Sequence, residues 1–193
     1  MFDFLISRIK DYIALDDKEI QLIESLFVKE EYGRNEVILQ EGEVCRKFFF
    51  VAKGILRLAK NVNGIDRTFV FRTEGSFGSI MESFCTRFPS PNSINTTERC
   101  ILYTITYDNL QVFYTTIREG ERFGRLLIEE VFMEVSEHLV AMHSLSPEQR
   151  YTMLTISEPT MLERIPQYMI ASYLGITPQA LCRIKKKMNV NNN

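Results

Sequence analysis

The stretch Ile165-Pro166-Gln167-Tyr168-Met169-Ile170-Ala171-Ser172-Tyr173-Leu174-Gly175-Ile176-Thr177-Pro178-Gln179-Ala180-Leu181-Cys182-Arg183-Ile184-Lys185-Lys186-Lys187 contains two helix start signals. Pro166 suits a first helical turn, where its missing N–H costs nothing. Gly175 interrupts the pattern, and Thr177-Pro178 reads as an N-cap followed by proline at the first helical position. Two short helices joined by a tight glycine turn make a helix-turn-helix. Ile170, Leu174, Ile176, Leu181 and Ile184 are spaced so that both helices can turn an apolar face toward each other. Ala171 is small enough for close approach, and Gly175 can take the left-handed backbone that the turn needs. Thr177, Gln179 and Arg183 are left on the opposite face of the second helix, with Gln179 and Arg183 one turn apart.

An ordinary helical hairpin is the competing reading, and charge decides between the two. From Thr160 onward there are five basic residues (Arg164, Arg183, Lys185, Lys186, Lys187) and one acid, Glu163. The preceding 159 residues carry 18 basic and 24 acidic side chains. A net charge of −2 and a pI of about 5.8 thus conceal a basic tip on an acidic body. Such a tip suits a polyanion contacted at one end only. On double-stranded DNA, Arg183 can present a fork to guanine and Gln179 can read an adenine edge. Lys185, Lys186 and Lys187 suit phosphates, as does Thr177 at the helix N-terminus.

Working outward, 193 residues allow one large domain or a core domain with a small appendage. The apolar fraction of 45% and charged fraction of 25% are ordinary for a soluble globular chain. No apolar run approaches a membrane span, and Met1 to Arg8 lacks the pattern of a secretory signal, so no membrane partner and a cytoplasmic location are expected. Cys45, Cys85, Cys100 and Cys182 are scattered, which argues for reduced, mostly buried thiols and against a metal site or disulfide framework. His138 and His143 fall in one helical segment, so no catalytic set can be assembled from spacing, and an enzyme is not expected.

Residues 3–13 and 17–28 have helical periodicity, with Asp16 or Asp17 able to cap the second segment. From Glu31 to about Ile105 the texture becomes short β-type runs punctuated by glycine: 36–40, 48–52, 55–59, 67–72 and 100–105. Such strands make a small antiparallel barrel or roll, which encloses a pocket. Residues 107–117 read as a helix and Glu121 to about Leu145 as a long one. Within it Ile128, Val131, Val135, His138, Met142 and Leu145 recur at alternating steps of three and four, a seam able to meet a copy of itself. Phe132 and Leu139 are expected to pack on the roll instead. Pro147 follows the long helix, 148–154 reads as helical, and the Asn-rich tail is expected to fray.

A roll, a long helix and a C-terminal helix-turn-helix together resemble the cyclic-AMP receptor protein/FNR (Crp/Fnr) family of bacterial transcription regulators. The resemblance is carried by Gln40-Glu41-Gly42-Glu43, Phe49-Phe50-Val51-Ala52-Lys53-Gly54, Asn63-Gly64, Gly75-Ser76-Phe77-Gly78 and Ile165–Lys187. It implies an α+β chain: an N-terminal cyclic-nucleotide-binding-like jelly roll with flanking helices over 1–118, a dimerisation helix over 119–146, and an all-α helix-turn-helix domain over 147–193 without a wing. It also implies a homodimer on a palindromic operator, with RNA polymerase as a further partner.

The departures concern the effector. Family members that bind cyclic nucleotides follow Phe77-Gly78 with a glutamate, and here that position is Ser79. Their Arg-Ser or Arg-Thr pair for the cyclic phosphate is replaced by Phe88-Pro-Ser-Pro-Asn-Ser-Ile94, leaving Arg87 as the nearest cation. The ligand pocket of the resemblance falls on Phe77, Gly78, Ser79, Ile80, Arg87 and Ser90. Cyclic AMP is therefore not the expected effector, no cofactor is assigned, and the effector is left unidentified. The FNR branch's N-terminal cysteine cluster has no counterpart before Cys45. The rival to a DNA-binding regulator is a ligand-binding or scaffold module whose basic end docks to a protein.

Overall fold

The computed structural model describes residues 2–191, with side chains through Met188. Helices α1 (Asp3–Lys10) and α2 (Asp17–Leu26) precede five strands: β1 (Val28–Tyr32), β2 (Val37–Leu39), β3 (Lys47–Lys53), β4 (Leu56–Val62) and β5 (Ile65–Arg72). Strand β6 (Phe77–Gly78), helix α3 (Met81–Thr86) and strands β7 (Ser93–Thr96) and β8 (Cys100–Thr106) complete the roll. Helices α4 (Tyr107–Thr116), α5 (Gly120–Ser144), α6 (Pro147–Ser157), α7 (Pro159–Arg164), α8 (Gln167–Tyr173) and α9 (Pro178–Asn191) follow.

Local chemistry accounts for the boundaries. Asp16 caps α2 and closes a capping box with Glu19, which satisfies donors at both ends of the first turn. Asn63 and Gly64 have φ of 54° and 81°, the left-handed pair that a two-residue hairpin requires between Val62 and Ile65. Ser146 caps α6 with Gln149 as its capping-box partner, and Pro147 takes the first helical position.

The strands form two antiparallel four-stranded sheets, β1-β8-β3-β6 and β2-β7-β4-β5. Phe48 to Val51 are all buried along β3, which lies between β8 and β6. The interior is largely aromatic: Phe50 and Phe77 lie 4.9 Å apart, and Phe77 meets Phe123 of α5 edge-on at 5.5 Å. Such pairs add to simple burial through their quadrupoles. Thus the start of the long helix belongs to the roll's core, while its later turns leave the roll.

A second core joins Leu154, Met161, Ile165, Met169, Ile170, Ala171, Leu174 and Leu181 of the C-terminal helices. Two residues of the roll, Ile55 and Phe71, are part of it.

Several elements differ from the sequence reading. Val28, read as the last residue of the second helical segment, instead opens strand Val28–Tyr32, which pairs with β8. Helices α3 and α7 and strands β6 and β7 were not foreseen; each is six residues or fewer, too short for a periodic signal. Pro166 is the N-cap of α8 rather than a residue within its first turn. The Asn-rich tail continues α9 as far as Asn191, and Asn192 and Asn193 lie outside the described residues. All four cysteines are free, Cys45 and Cys100 buried, Cys85 and Cys182 exposed. No helix among the described residues is long and apolar enough to cross a membrane.

Candidate nucleic-acid interface

Helices α8 and α9 meet across a turn whose backbone leaves little choice. Gly175 has φ of +70°, and a Cβ there would come within 2.8 Å of Met142 Cε on α5. Ile176 N donates to Ala171 O at 2.9 Å, closing the end of α8. Ala180 N donates to Thr177 Oγ1 at 3.2 Å, so Thr177 caps α9 as its position implied. Ile170, Ala171, Leu181 and Ile184 are buried between the helices.

Only part of the set expected to meet DNA stands free on the opposite face of α9. Gln179, Arg183, Lys186 and Lys187 are exposed, and the cations among them have no ion partner among the described residues. Thr177 is exposed too, but its hydroxyl is engaged at the cap. Lys185 is half-buried and donates to Gln167 Oε1 at 2.9 Å, which turns it along the motif rather than outward.

The motif is tied to both other parts of the chain. Arg164 reaches Glu74 at 2.6 and 3.0 Å and also pairs with Glu98. Burial alone would raise the Glu74 carboxyl, but hydrogen bonding from Arg164 and the backbone holds it below the usual range. Thr68 N donates to Ser172 Oγ at 2.9 Å, joining β5 to α8. Arg150 donates to the Met142, Leu145 and Leu174 carbonyls, joining α6 to the end of α5 and to the turn. None of these ties was foreseen, since the partners in the first lie 66 and 90 residues apart.

The six roll positions do not converge on one cavity. Phe77 belongs to the aromatic core, and a Cβ at Gly78 would press 3.1 Å from the Phe49 ring. Ser79 Oγ donates to Lys47 O at 2.9 Å and lies 3.2 Å from Cys45 Sγ. Ile80 is buried, and Ser90 Oγ is spent on the backbone of Asn92. Arg87 has left-handed backbone after α3, and its guanidinium lies 4.7 Å over the Tyr107 ring and 3.6 Å from Asp108. A cavity of about 420 Å3 does open in the roll, between Leu39, Val44, Cys45, Phe49 and Ile94, yet none of the six lines it. Lys47 also lines it, with its ammonium held by Glu30 at 2.7 Å. Arg46 lines it too, exposed and without an ion partner among the described residues, so the cation nearest this cavity is not the expected Arg87. No cluster among the described residues could hold a metal ion.

The long helix separates its seam into two faces. Val131 packs on the roll core, while His138 and Met142 line a space facing the C-terminal helices. His138 stacks on Tyr173 at 4.8 Å, and its burial lowers its pKa. Ile128 and Val135 are exposed. Phe132 and Leu139 are exposed as well, at 70% and 57%, rather than packed on the roll. The outward stripe is therefore Ile128, Phe132, Val135 and Leu139, at steps of four, three and four.

Residues 29–125 match the family model described as the cyclic nucleotide-binding domain, about half of the chain. The chain belongs to that family. Among solved structures, FixK2 from Bradyrhizobium japonicum is similar at a TM-score of 0.75 and 13% identity, over 86% of each chain. A Crp/Fnr-family transcriptional regulator from Eubacterium rectale gives 0.71 at 15% identity, covering 94% of this chain and 88% of the other. The c-di-GMP responsive global regulator CLP from Xanthomonas campestris gives 0.68 at 17% identity, over 92% and 93%. At these identities the likeness is one of fold, and the fold is that of Crp/Fnr-type regulators. No curated protein sequence matches the chain.

Proposed function

We propose that this member of the cyclic nucleotide-binding domain family is a DNA-binding transcription regulator of the Crp/Fnr type, acting as a homodimer on a palindromic operator. The outward face of α9 carries the proposal: Gln179 and Arg183 stand one turn apart on an exposed helix face, beside Lys186 and Lys187. Arg183 reads a guanine by its fork, Gln179 an adenine edge, and the two lysines neutralise phosphate. The dimer forms along the stripe of Ile128, Phe132, Val135 and Leu139, whose spacing is that of a coiled-coil seam. Two recognition helices then meet half-sites about one helical turn apart.

The roll acts as a sensor whose effector is not a cyclic nucleotide, since Ser79 and Arg87 are engaged elsewhere. Titration with cyclic AMP and cyclic GMP should give no saturable binding at micromolar concentration.

The deciding experiment is binding-site selection followed by titration. Arg183→Ala should cost about 1–3 kcal/mol and relax preference at one base pair, whereas Lys186→Ala should weaken all sequences alike and lower the salt slope by about one. An unchanged preference in Arg183→Ala removes that residue from the reading role. Absence of a selected site for the wild type removes the proposal itself.

A further inference from the structure

Helix α5 carries the stripe along which two chains meet, and α9 carries the face that meets DNA. The chain between them runs through α6, α7 and α8, so the covalent path alone does not set their relative direction. A shorter route runs through one side chain. Arg150, the fourth residue of α6, donates from Nη1 to the carbonyls of Met142 at 3.3 Å and Leu145 at 2.8 Å. From Nη2 it donates to the carbonyl of Leu174 at 3.0 Å. Met142 lies in the last turn of α5 and Leu145 is its C-cap, while Leu174 is the C-cap of α8, directly before Gly175.

The last carbonyls of a helix have no partner within it, and they carry the negative end of its dipole. One guanidinium here serves the ends of two helices at once, through charged donors that bond more strongly than neutral ones. Its planar fork also fixes direction, which a point charge on a flexible stem does not. The surroundings leave the corner little freedom. Leu145 is extended, with φ −108° and ψ 145°, and Ser146 already caps α6, so two residues make the whole link. Ser146 N donates to Gln149 Oε1 at 2.8 Å, which holds the start of α6 in place. On the other side, Met142 Cε sits so near Gly175 that the turn has no room for a Cβ. The end of α5, the start of α6 and the turn before α9 thus converge on Arg150.

We propose that Arg150 is a positioning residue that sets the direction of α9 relative to α5, and through it the spacing of the two half-sites. The inference rests on the regulator reading above and names what fixes its geometry. Two-fold symmetry repeats any rotation at this corner in both subunits, so a small change there alters the separation of the recognition helices. In helix-turn-helix dimers that separation is about 34–36 Å, and one added base pair moves a half-site by about 3.4 Å and turns it by roughly a tenth of a helical turn.

The test is binding-site selection on the full chain from a library in which the spacer between half-sites varies, followed by titration of each spacer at fixed salt. For the wild type, a spacer one base pair too long or too short should lower affinity at least about ten-fold. In Arg150→Met that ratio should shrink to within about three-fold, while the base preference inside each half-site is unchanged. Mere loss of stability would weaken all spacers alike, so Ile23→Val, fully buried in the roll core, should keep the wild-type ratio. Should Arg150→Met not fold, Arg150→Gln retains one donor but not the fork and should lose the ratio in the same way. A wild-type ratio in the Arg150 variants overturns the proposal, as does an equal loss in Ile23→Val.

A second readout needs no DNA. Nitroxide labels on His143→Cys of α5 and on Cys182 of α9, both exposed, in a Cys85→Ser background, report the distance across the corner. Dilution with unlabelled chain restricts the signal to distances within one chain. The distribution should broaden in Arg150→Met and stay narrow in Ile23→Val; an unchanged width in Arg150→Met overturns the positioning role. If the wild type selects no operator while the width still responds to Arg150, the regulator reading fails and the corner stands.

Discussion

The roll region expected to hold a ligand and the junction beneath it differ in how their polar groups are used. Around Ser79, Arg87 and Ser90, each polar side chain is bound to a neighbour, and the interior beside them is phenylalanine. At the junction, Arg72 and Arg150 each keep a buried Nε without an acceptor, and Glu137 and Glu158 have no ion partner, among the described residues. A finished polar network specifies a structure, whereas a buried donor left without an acceptor costs stability.

That contrast can be broken or sharpened. The largest effect belongs to the roll: Phe50→Ala, at a fully buried position, should lower unfolding free energy by about 3–5 kcal/mol in denaturant titration. A cost below about 1 kcal/mol would mean the aromatic interior is loosely packed and has room to open for a ligand. Next comes Arg164→Met, which removes the ties to Glu74 and Glu98 at side chains about one-third exposed. Charged hydrogen bonds discounted for solvent screening predict a loss of about 1–2 kcal/mol, with faster amide exchange in α8. Unchanged exchange would show that apolar packing alone holds the motif to the roll.

Ser79→Glu sharpens the comparison from the other side. It restores the family's carboxylate but places it beside the Lys47 carbonyl, with Arg87 still on Tyr107. Cyclic AMP should remain without measurable affinity, and saturable binding would return the effector site to the roll.

The smallest effect is on pH dependence at the junction. His138 has a folded pKa below its ordinary 6.5, so the unfolded chain binds the proton first and stability falls as pH drops below that value. Glu158 runs oppositely: its folded pKa lies above 4.5, so stability rises as pH falls through the folded value. His138→Phe keeps a ring on Tyr173 and removes the first contribution. The variant should lose the decline below about pH 6.5 seen in the wild type. A wild-type melting temperature that does not fall there would place His138 in contact with solvent.

The helix-turn-helix was legible because its evidence is local: a capping threonine, a proline after it, a glycine turn and apolar residues at helical spacing all fall within Ile165–Lys187. The longer strands and α5 were legible for the same reason. The phase of the α5 seam was not. Periodicity finds a stripe but not its azimuth, and both Val131 and Phe132 satisfy a step of three or four from Ile128. Only packing against the roll and Tyr173 separates the inward set from the outward one. Arg164, Arg72 and Arg150 were likewise opaque, because nothing near them in sequence names a partner brought in by the tertiary fold.

Ile55 and Phe71 have a consequence for how the molecule comes apart. Ile55, in the turn between β3 and β4, and Phe71 of β5 belong to the roll, yet they complete the core beneath α6 to α9. Cutting the chain after Ser146 would strip two large apolar side chains from that core and bare the surface they cover. The C-terminal helices are thus not an autonomous folding unit, and melting one part withdraws support from the other. Thermal unfolding is expected as one cooperative transition, with calorimetric and van't Hoff enthalpies in agreement.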